Sequence, residues 1–347
     1  MDTESLTEET LLHSGRESAR VADFLRSQGL QLDDDVEFTV VLAAQGSIAA
    51  TGSFAGRVLK CIAVDPQYLQ SGLSAKIVTR LIREEYILGR THLFLFTRPA
   101  NVPIFSSFGF YIVHVVPSQV ALMENVPNGI QRFLRTLSTS APKGKNAAAI
   151  VVNCNPFTLG HKHLIEYAAA RCDMLHLFVV SEDKSSFPAD VRYRLVVEGT
   201  KNIAHVHVHK GGDYIISAAT FPTYFIKEYQ EQVETHALLD IGIFGTRIAP
   251  ALGIVKRYVG EEPFCKVTAT YNRIMQDVLP RYGVDLEVIP RLTSGGGAVS
   301  ASRVRALMRE GKLEQTRELV PDSTYAFLMS EEARPVIRRI QEAGQRH

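Results

Sequence analysis

The stretch at residues 147–172 limits the possible folds more than any other part of this sequence. It begins with a short apolar run at 147–153, which predicts a parallel strand buried on both faces. Asn155-Pro156 breaks the run, and apolar residues then recur at helical spacing over 161–171. Thr158-Leu159-Gly160-His161 therefore falls where a strand ends and a helix begins. Open α/β sheets bind ligands at such places, and the unpaired N–H groups of a helix start favour anions.

The residues that follow alternate between strand and helix patterns. We predict strands at 174–180, 205–209, 241–244 and 286–290, and helices at 191–201, 224–235, 271–280 and 299–308. Strands that are separated by helices predict a doubly wound parallel sheet, so the second half belongs to the α/β class.

Length and composition indicate two domains. The chain has 347 residues, whereas a domain usually has roughly 100–200. Between positions 136 and 146, the sequence LSTSAPKGKN is rich in Ser, Pro, Gly and Lys and nearly free of large apolar residues, as is typical of a linker. We therefore predict one domain at 1–140 and a second at 141–347.

Several classes of function are disfavoured by composition. The formal net charge is +1 and no basic run stands out, so we expect no binding to nucleic acid or to an anionic membrane. The four cysteines are scattered and form no C-x-x-C pair, which is typical of a reducing compartment. The first residues lack the pattern of a secretion signal, and no apolar run approaches the roughly 18 residues of a membrane span. We expect a cytoplasmic protein.

The first half reads as a helix at 17–29, strands at 38–43 and 47–53 joined by a hairpin turn at Gln45-Gly46, a third strand at 57–64, a glycine turn, a helix and a strand at 92–97. This order, followed by Asn101 and the segment FSSFGF, resembles the GNAT acyltransferase fold. The resemblance implies a turn that wraps the pyrophosphate of a coenzyme A thioester. Only Gly72 matches that turn, because Leu69 and Ser74 replace the expected residues. We predict a GNAT-like α+β domain without acetyl transfer; the alternative is a domain that still holds a coenzyme A-like arm.

Three ordered motifs in the second half resemble those of the HxGH nucleotidyltransferases. The first is NPFTLGH at 155–161, the second is K-x-x-F-x-x-x-x-R from Lys184 to Arg192, and the third is VSAS at 299–302 followed by Arg305. The resemblance implies a HUP/Rossmann-like nucleotidyltransferase domain that binds ATP and adenylates a second substrate.

The same resemblance implies roles for individual residues. His161 would donate to the phosphate oxygens, Lys184 would bridge nucleotide and incoming acid, and Arg305 would offer a planar fork to the β,γ-phosphates. The remaining residues expected to bind the nucleotide are Asn155, Thr158, Gly160, Arg192, Ser300 and Ser302. Mg²⁺ would be carried by the phosphates and water, so we expect no metal site of the protein itself.

The wider pattern resembles the citrate lyase ligase family over essentially the whole chain. The segments that carry this resemblance lie at 211–227, 243–254, 257–264 and 270–272, although Thr246-Arg247 departs from it for no reason that the sequence explains. The resemblance implies that acetate attacks ATP to give acetyl-adenylate and pyrophosphate. The acetyl group would then pass to the thiol of a coenzyme A-like arm on the citrate lyase acyl carrier subunit.

Other functions remain open at this point. A nucleotidyltransferase that makes a dinucleotide or a coenzyme A precursor would need a basic second pocket, but residues 211–227 contain only Lys227. A GNAT acetyltransferase with an inactive nucleotide domain, or a lyase-binding subunit without activity, would not need the three motifs. For acetate, we predict a small pocket with Tyr214, Ser217 and Thr220 in its wall.

Three further features have a structural and a functional interpretation. His205, His207 and His209 alternate, so a strand would place them on one face as a possible metal row, but no fourth ligand follows at a suggestive spacing. Cys154 lies in the turn, where we expect a packed small side chain rather than a nucleophile. The glycine triplet at 295–297 is either a mobile flap or an ordinary connector.

Overall fold

The computed structural model describes residues 7–11, 15–141, 144–221, 232–263, 265–294 and 297–344. The chain divides into two compact units, Met1–Gly129 and Ile130–His347. The division lies before the predicted boundary at residue 140 because Gly129–Ser140 is a helix, with Ile130 and Leu137 buried. The first part of the predicted linker is therefore helical, and residues 142 and 143 lie outside the described residues.

The first unit is an α+β arrangement. Its strands are β1 Thr7–Leu11, β2 Phe38–Ala44, β3 Ser47–Ala55, β4 Val58–Val64, β5 Phe94–Thr97, β6 Tyr111–Val116 and β7 Val120–Glu124. Its helices are α1 Gly15–Ser27, α2 Leu73–Ile87 and α3 Val102–Ser107. The predicted helix, hairpin, third strand, glycine turn and following helix are thus all present, and the strand predicted at 92–97 is β5. Gly72 stands at the start of α2 with a φ of +78°, a conformation that glycine adopts without strain.

Seven strands form one mixed sheet in the order β1-β2-β3-β4-β5-β7-β6. Only β4 and β5 are parallel neighbours, and their pairing is confined to Val58 with Phe94 and Leu59 with Leu95. Farther along, a cavity of about 440 Å³ is lined by residues of the two strands, such as Lys60 and Cys61 of β4, and by Arg98 directly after β5. Stacked rings of Phe38 and Phe54, 5.1 Å apart, lie at the β2–β3 pair.

The second unit follows the α/β alternation. Its strands are β8 Ala147–Val152, β9 Met174–Val179, β10 Val206–Lys210, β11 Ile254–Gly260, β12 Asp285–Ile289, β13 Thr293–Ser294 and β14 Gly297–Ala298. Its helices are α4 Gly129–Ser140, α5 Leu159–Ala169, α6 Ala189–Thr200, α7 Gln232–Ile243, α8 Ala249–Leu252, α9 Lys266–Val278, α10 Ala301–Arg309, α11 Asp322–Leu328 and α12 Arg334–Gly344.

The main sheet has the order β10-β9-β8-β11-β12, and every neighbouring pair is parallel. This confirms the predicted doubly wound sheet. The order reverses between β8 and β11, so the switch point of the fold lies at their carboxyl ends. No helix among the described residues is long and apolar enough to cross a membrane.

One predicted strand is wrong. Residues 241–243 end helix α7, and Phe244–Ile248 continues it as a π-helical turn. Leu239, Ile241 and Ile243 are all buried, and a short apolar run cannot be assigned to a buried strand or a buried helix by periodicity alone. The fourth strand of the sheet is instead β11. Most of the helix predicted at 224–235 lies outside the described residues, which resume at 232.

The predicted histidine row is interrupted. His205 precedes β10 and has a φ of +61°, so it does not share the strand geometry of His207 and His209. His209 is buried, and its Nε2 lies 3.0 Å from Nδ1 of the fully buried His176 on β9. Burial lowers the pKa of both imidazoles to about 4.

Candidate active site

A cavity of about 540 Å³ lies at the switch point of the parallel sheet. It is lined by residues from the ends of β8, β11 and β12 and from the starts of α5, α9 and α10. The structure brings six predicted site residues to this cavity: Thr158, Gly160, His161, Ser300, Ser302 and Arg305. Two motifs that are about 140 residues apart in the sequence therefore share one space, as expected where helix starts surround an anion site.

The start of α5 is capped by reciprocal hydrogen bonds between Thr158 and His161. The Thr158 hydroxyl accepts from the backbone N–H of His161 at 3.4 Å, and the Thr158 backbone N–H donates to Nδ1 of His161 at 3.1 Å. Because Nδ1 is the acceptor of an N–H group, the neutral imidazole carries its proton on Nε2. Nε2 has no hydrogen-bond partner among the described residues, which leaves it as a donor for a ligand.

The electrostatic environment keeps His161 neutral. Burial lowers the pKa of its imidazole to about 4, and the nearby positive charge of Arg291 acts in the same direction. At neutral pH the side chain is therefore a fixed N–H donor and carries no charge.

The start of α10 is built from Ser300, which caps the helix by accepting from the backbone N–H of Arg303 at 3.2 Å. The hydroxyls of Ser300 and Ser302 lie 3.2 Å apart. Farther along the helix, Nη1 of Arg305 donates to the backbone carbonyl of Asn155. This bond fixes the third motif to the first, so the two helix starts hold a defined relative position.

Gly160 permits a close contact between the starts of α5 and α10. A Cβ atom at this position would lie 2.6 Å from the carbonyl oxygen of Val299, the residue before Ser300. The sequence motif predicts that Gly160 belongs to the nucleotide site, and the close neighbour of Gly160 in the structure is the main chain that leads into α10. The missing side chain thus lets the two helix starts pack together.

We predict that Gly160→Ala destabilises the second unit and weakens nucleotide binding at least about 10-fold. A methyl group would push Val299 away from α5, and overpacking of this kind usually costs roughly 1–3 kcal/mol. Gly297→Ala is the matched control, because its Cβ would meet only Nη1 of Arg303 at 3.6 Å. Urea unfolding and calorimetric ATP titration measure the two effects. Equal values for both variants would show that the contact with Val299 is unimportant.

Asn155 does not line the cavity, but it joins the motifs. Its side-chain oxygen accepts from the backbone N–H of Phe187 at 2.9 Å, while its own carbonyl accepts from Arg305. Asn155 therefore connects the turn before α5 both to the loop before α6 and to α10.

Lys184 and Arg192 are not among the residues that line the cavity. Lys184 is exposed on the loop between β9 and α6. Arg192 is fully buried, and its guanidinium donates to protein carbonyls, so the structure does not place it as a phosphate ligand.

The structure also does not support the prediction that Tyr214, Ser217 and Thr220 form the wall of an acetate pocket. The Ser217 hydroxyl donates to the carbonyl of Asp213 at 2.6 Å, and the Thr220 hydroxyl donates to the carboxylate of the buried Asp240 at 2.7 Å. Both hydroxyls are therefore engaged within the protein and are not available as donors to a ligand. Tyr214 is buried with its ring 5.1 Å from that of Phe133.

One wall of the cavity was missed by sequence reasoning. It consists of residues at the end of β11, the start of α9 and the end of β12, including Glu262, Thr268 and Arg291. Arg291 forms an ion pair with Glu262 at 2.6 Å, and Glu262 also accepts from the backbone N–H of Cys265 at the start of α9. The run IVKRYVG before Glu261 is rich in β-branched and aromatic residues, as is typical of a strand, and was the signal that could have located this wall.

Within the described residues, the protein side chains form no metal site, and Cys154 is not a nucleophile. No group of three or more His, Cys, Asp or Glu side chains there is arranged to hold a metal ion. Cys154 is buried, and burial raises the pKa of its thiol, so it is a packed side chain rather than a reactive one.

Comparison with known proteins agrees with the motifs. The family described as citrate lyase ligase C-terminal domain matches residues 147–328. The [citrate [pro-3S]-lyase] ligase of Klebsiella pneumoniae is 43% identical over 310 residues, which cover 88% of this chain and 91% of that protein. The protein of the same name from Escherichia coli K12 is 39% identical over 320 residues, 91% of each chain.

Among solved structures, Thermotoga maritima TmcAL bound with alpha-thio ATP is 14% identical, with a TM-score of 0.37 over 55% of this chain and 57% of that one. This likeness is too distant to establish the fold, which is defined by its own strand order. The sequence relatives, in contrast, match nearly the full length of both chains at well above 30% identity. The chain belongs to the citrate [pro-3S]-lyase ligase family.

Proposed function

We propose that this chain activates acetate with ATP, giving acetyl-adenylate and pyrophosphate, and then transfers the acetyl group to a thiol on the citrate lyase acyl carrier subunit. The observation that carries the proposal is the shared cavity: His161 and Arg305 reach it from two helix starts at the switch point of the sheet. The family supports the identity of the macromolecular substrate, because its relatives are named as ligases of citrate [pro-3S]-lyase.

The charge distribution in the cavity supports one orientation of ATP. At the α5 and α10 end, Arg305 is held by a backbone carbonyl and by no carboxylate among the described residues. At the α9 end, Glu262 forms an ion pair with Arg291 and accepts from the backbone N–H of Cys265, so this end already holds a carboxylate, which repels phosphate. The triphosphate therefore fits the α5 and α10 end, and the nucleoside fits the α9 end.

The first step needs no protein nucleophile. A carboxylate oxygen of acetate attacks the α-phosphorus, the bond from that phosphorus to the bridging oxygen breaks, and pyrophosphate leaves. The neutral His161 donates its Nε2 proton in a hydrogen bond to the phosphate oxygens, and Arg305 stabilises the departing charge. The Ser300 and Ser302 hydroxyls add further hydrogen-bonding groups at the start of α10. Mg²⁺ would accompany ATP on its phosphates, as is usual for this ion.

The second step joins the acetyl group to sulfur. The thiol sulfur attacks the acetyl carbon, the bond from that carbon to the phosphate oxygen breaks, AMP leaves, and the thiol proton passes to solvent. For the carrier's arm we propose the cavity between β4 and β5 of the first unit, where the two strands are paired at only two positions. A long, narrow coenzyme A-like arm fits such an opening because its amides can bond to strand backbone.

Exchange of labelled pyrophosphate into ATP tests the reaction class. We expect exchange that depends on acetate and does not require the carrier, because adenylate formation is the reversible first step. Exchange that instead required a phosphorylated cosubstrate would contradict the proposal and identify a nucleotidyltransferase. Transfer of labelled acetate to the citrate lyase carrier then tests the second step separately.

A further inference from the structure

Arg192 is completely buried beneath the loop that joins β9 to α6. Its Nη1 donates to the carbonyls of Asn153 at 2.9 Å and Val180 at 2.8 Å, and also to the side-chain oxygen of Asn153 at 2.8 Å. Its Nη2 donates to the carbonyl of Glu182 at 2.6 Å, and its Nε donates to that of Phe187 at 3.0 Å. One side chain thus joins the segments that follow two neighbouring strands of the sheet.

The loop is also tied directly to the turn before α5. The side-chain Nδ2 of Asn153 donates to the hydroxyl of Ser185 at 3.0 Å, and the backbone N–H of Phe187 donates to the side-chain oxygen of Asn155. Lys184 therefore lies between two anchored residues, Glu182 and Ser185. Asn153 lines the cavity and is hydrogen-bonded to Ser185, so the loop that bears Lys184 contacts a residue of the cavity wall.

The energetic cost of this arrangement points to a role beyond packing. A buried guanidinium loses its hydration, and burial lowers the pKa of Arg192. Its hydrogen bonds go to carbonyl groups, and no ion pair with a carboxylate within 4 Å compensates it among the described residues. Without the arginine, the carbonyls of Asn153, Val180 and Glu182 would lose a partner inside the protein, and a buried carbonyl without a partner is destabilising.

We propose that Arg192 is a positioning residue that acts through Lys184, holding the 180–188 loop against the cavity wall so that the lysine ammonium is directed at the reactants. The inference rests on the proposed adenylation, because Lys184 needs a defined place only if it bridges nucleotide and acid. It replaces the direct phosphate contact that the sequence motif suggested for Arg192.

A double-mutant cycle tests this coupling. Arg192→Met should lower kcat of acetate-dependent exchange about 10²-fold, because small misplacements of catalytic groups have effects of this size, while KM for ATP changes much less. In a Lys184→Ala background the same substitution should have little further effect. Arg194→Met is the control on the same helix, since Arg194 is exposed and pairs with Glu332. Multiplicative effects of the Arg192 and Lys184 substitutions would overturn the proposal.

A second readout separates this inference from the proposed function. Hydrogen–deuterium exchange of residues 180–188 should accelerate in Arg192→Met, and in the milder Arg192→Lys if the first variant folds poorly, while the start of α10 remains protected. Unchanged exchange in the loop would overturn the positioning role whatever the activity. Absence of acetate-dependent exchange in the wild-type protein would instead overturn the proposed function.

Discussion

Replacing His161 with alanine should lower kcat of acetate-dependent ATP–pyrophosphate exchange about 10²- to 10³-fold, the usual loss when one preorganised donor to a developing charge is removed. The reason lies in the cap of α5. The Thr158 backbone N–H occupies Nδ1, which leaves the Nε2 proton for the phosphate oxygens. His205→Ala is the matched control, because His205 is exposed and does not line the cavity. Equal losses in the two variants would remove His161 from the mechanism.

The pH dependence gives an independent check on the same residue. Burial lowers the pKa of His161 to about 4, so its neutral form persists throughout the range from pH 6 to pH 8. Protonation at lower pH would place a hydrogen on Nδ1 and break the bond from Thr158. The pH profile of kcat/KM for ATP reports on the free enzyme. It should therefore show no rise or fall near pH 6.5 that is caused by titration of His161. A rise or fall there that disappears in His161→Gln would contradict the assignment.

Replacing Arg305 with alanine should reduce kcat/KM for ATP on the order of 10²- to 10³-fold, because each hydrogen bond to a charged group contributes roughly 1.5–3 kcal/mol. Two losses combine here. The triphosphate loses a guanidinium, and the start of α10 loses its bond to the carbonyl of Asn155. Arg305→Lys should recover only part of the activity, since an ammonium cannot hold the carbonyl and offer a planar fork to phosphate together.

The control for Arg305 lies one turn farther along the same helix. Arg309 is exposed and does not line the cavity, so Arg309→Ala should leave kcat/KM within about twofold, as is usual for a surface change that alters only a screened charge. Steady-state exchange kinetics at varied ATP concentration measure both variants. If Arg305→Lys restored full activity, a point charge would suffice and the fork would not be needed.

Much of the fold was predictable because local chemistry and global topology agree. The apolar run at β8, the polar turn and the start of α5 each have a distinct signature, and together they specify a parallel sheet with a ligand site at its edge. The hairpin of β2 and β3 was equally clear from Gln45-Gly46 between two apolar runs.

The errors have physical causes. Residues 241–243 carry no polar side chain because the end of helix α7 is buried, so nothing in their pattern separates helix from strand. That error hid β11 and with it the wall that contains Glu262 and Arg291. Ser217 and Thr220 are the residue types that would hold a carboxylate, but Asp213 and Asp240 already occupy their hydroxyls, and only the tertiary structure shows this.

Gly160 and Arg192 illustrate a second limit on what the sequence can predict about the site. Each residue type suits a phosphate site, and each belongs to the expected motif, yet the sequence cannot show whether a residue touches the ligand or holds other segments in place. The structure shows Gly160 against the main chain of Val299 and Arg192 against buried carbonyls.

The central claim is that the starts of α5 and α10 bind one triphosphate between them. A crystal structure with a non-hydrolysable ATP analogue tests it most directly. We predict that Nε2 of His161 and the guanidinium of Arg305 both lie within hydrogen-bonding distance of phosphate oxygens of a single nucleotide, with its nucleoside toward Glu262. A nucleotide bound to one of these side chains only, or with its phosphates toward α9, would contradict the claim.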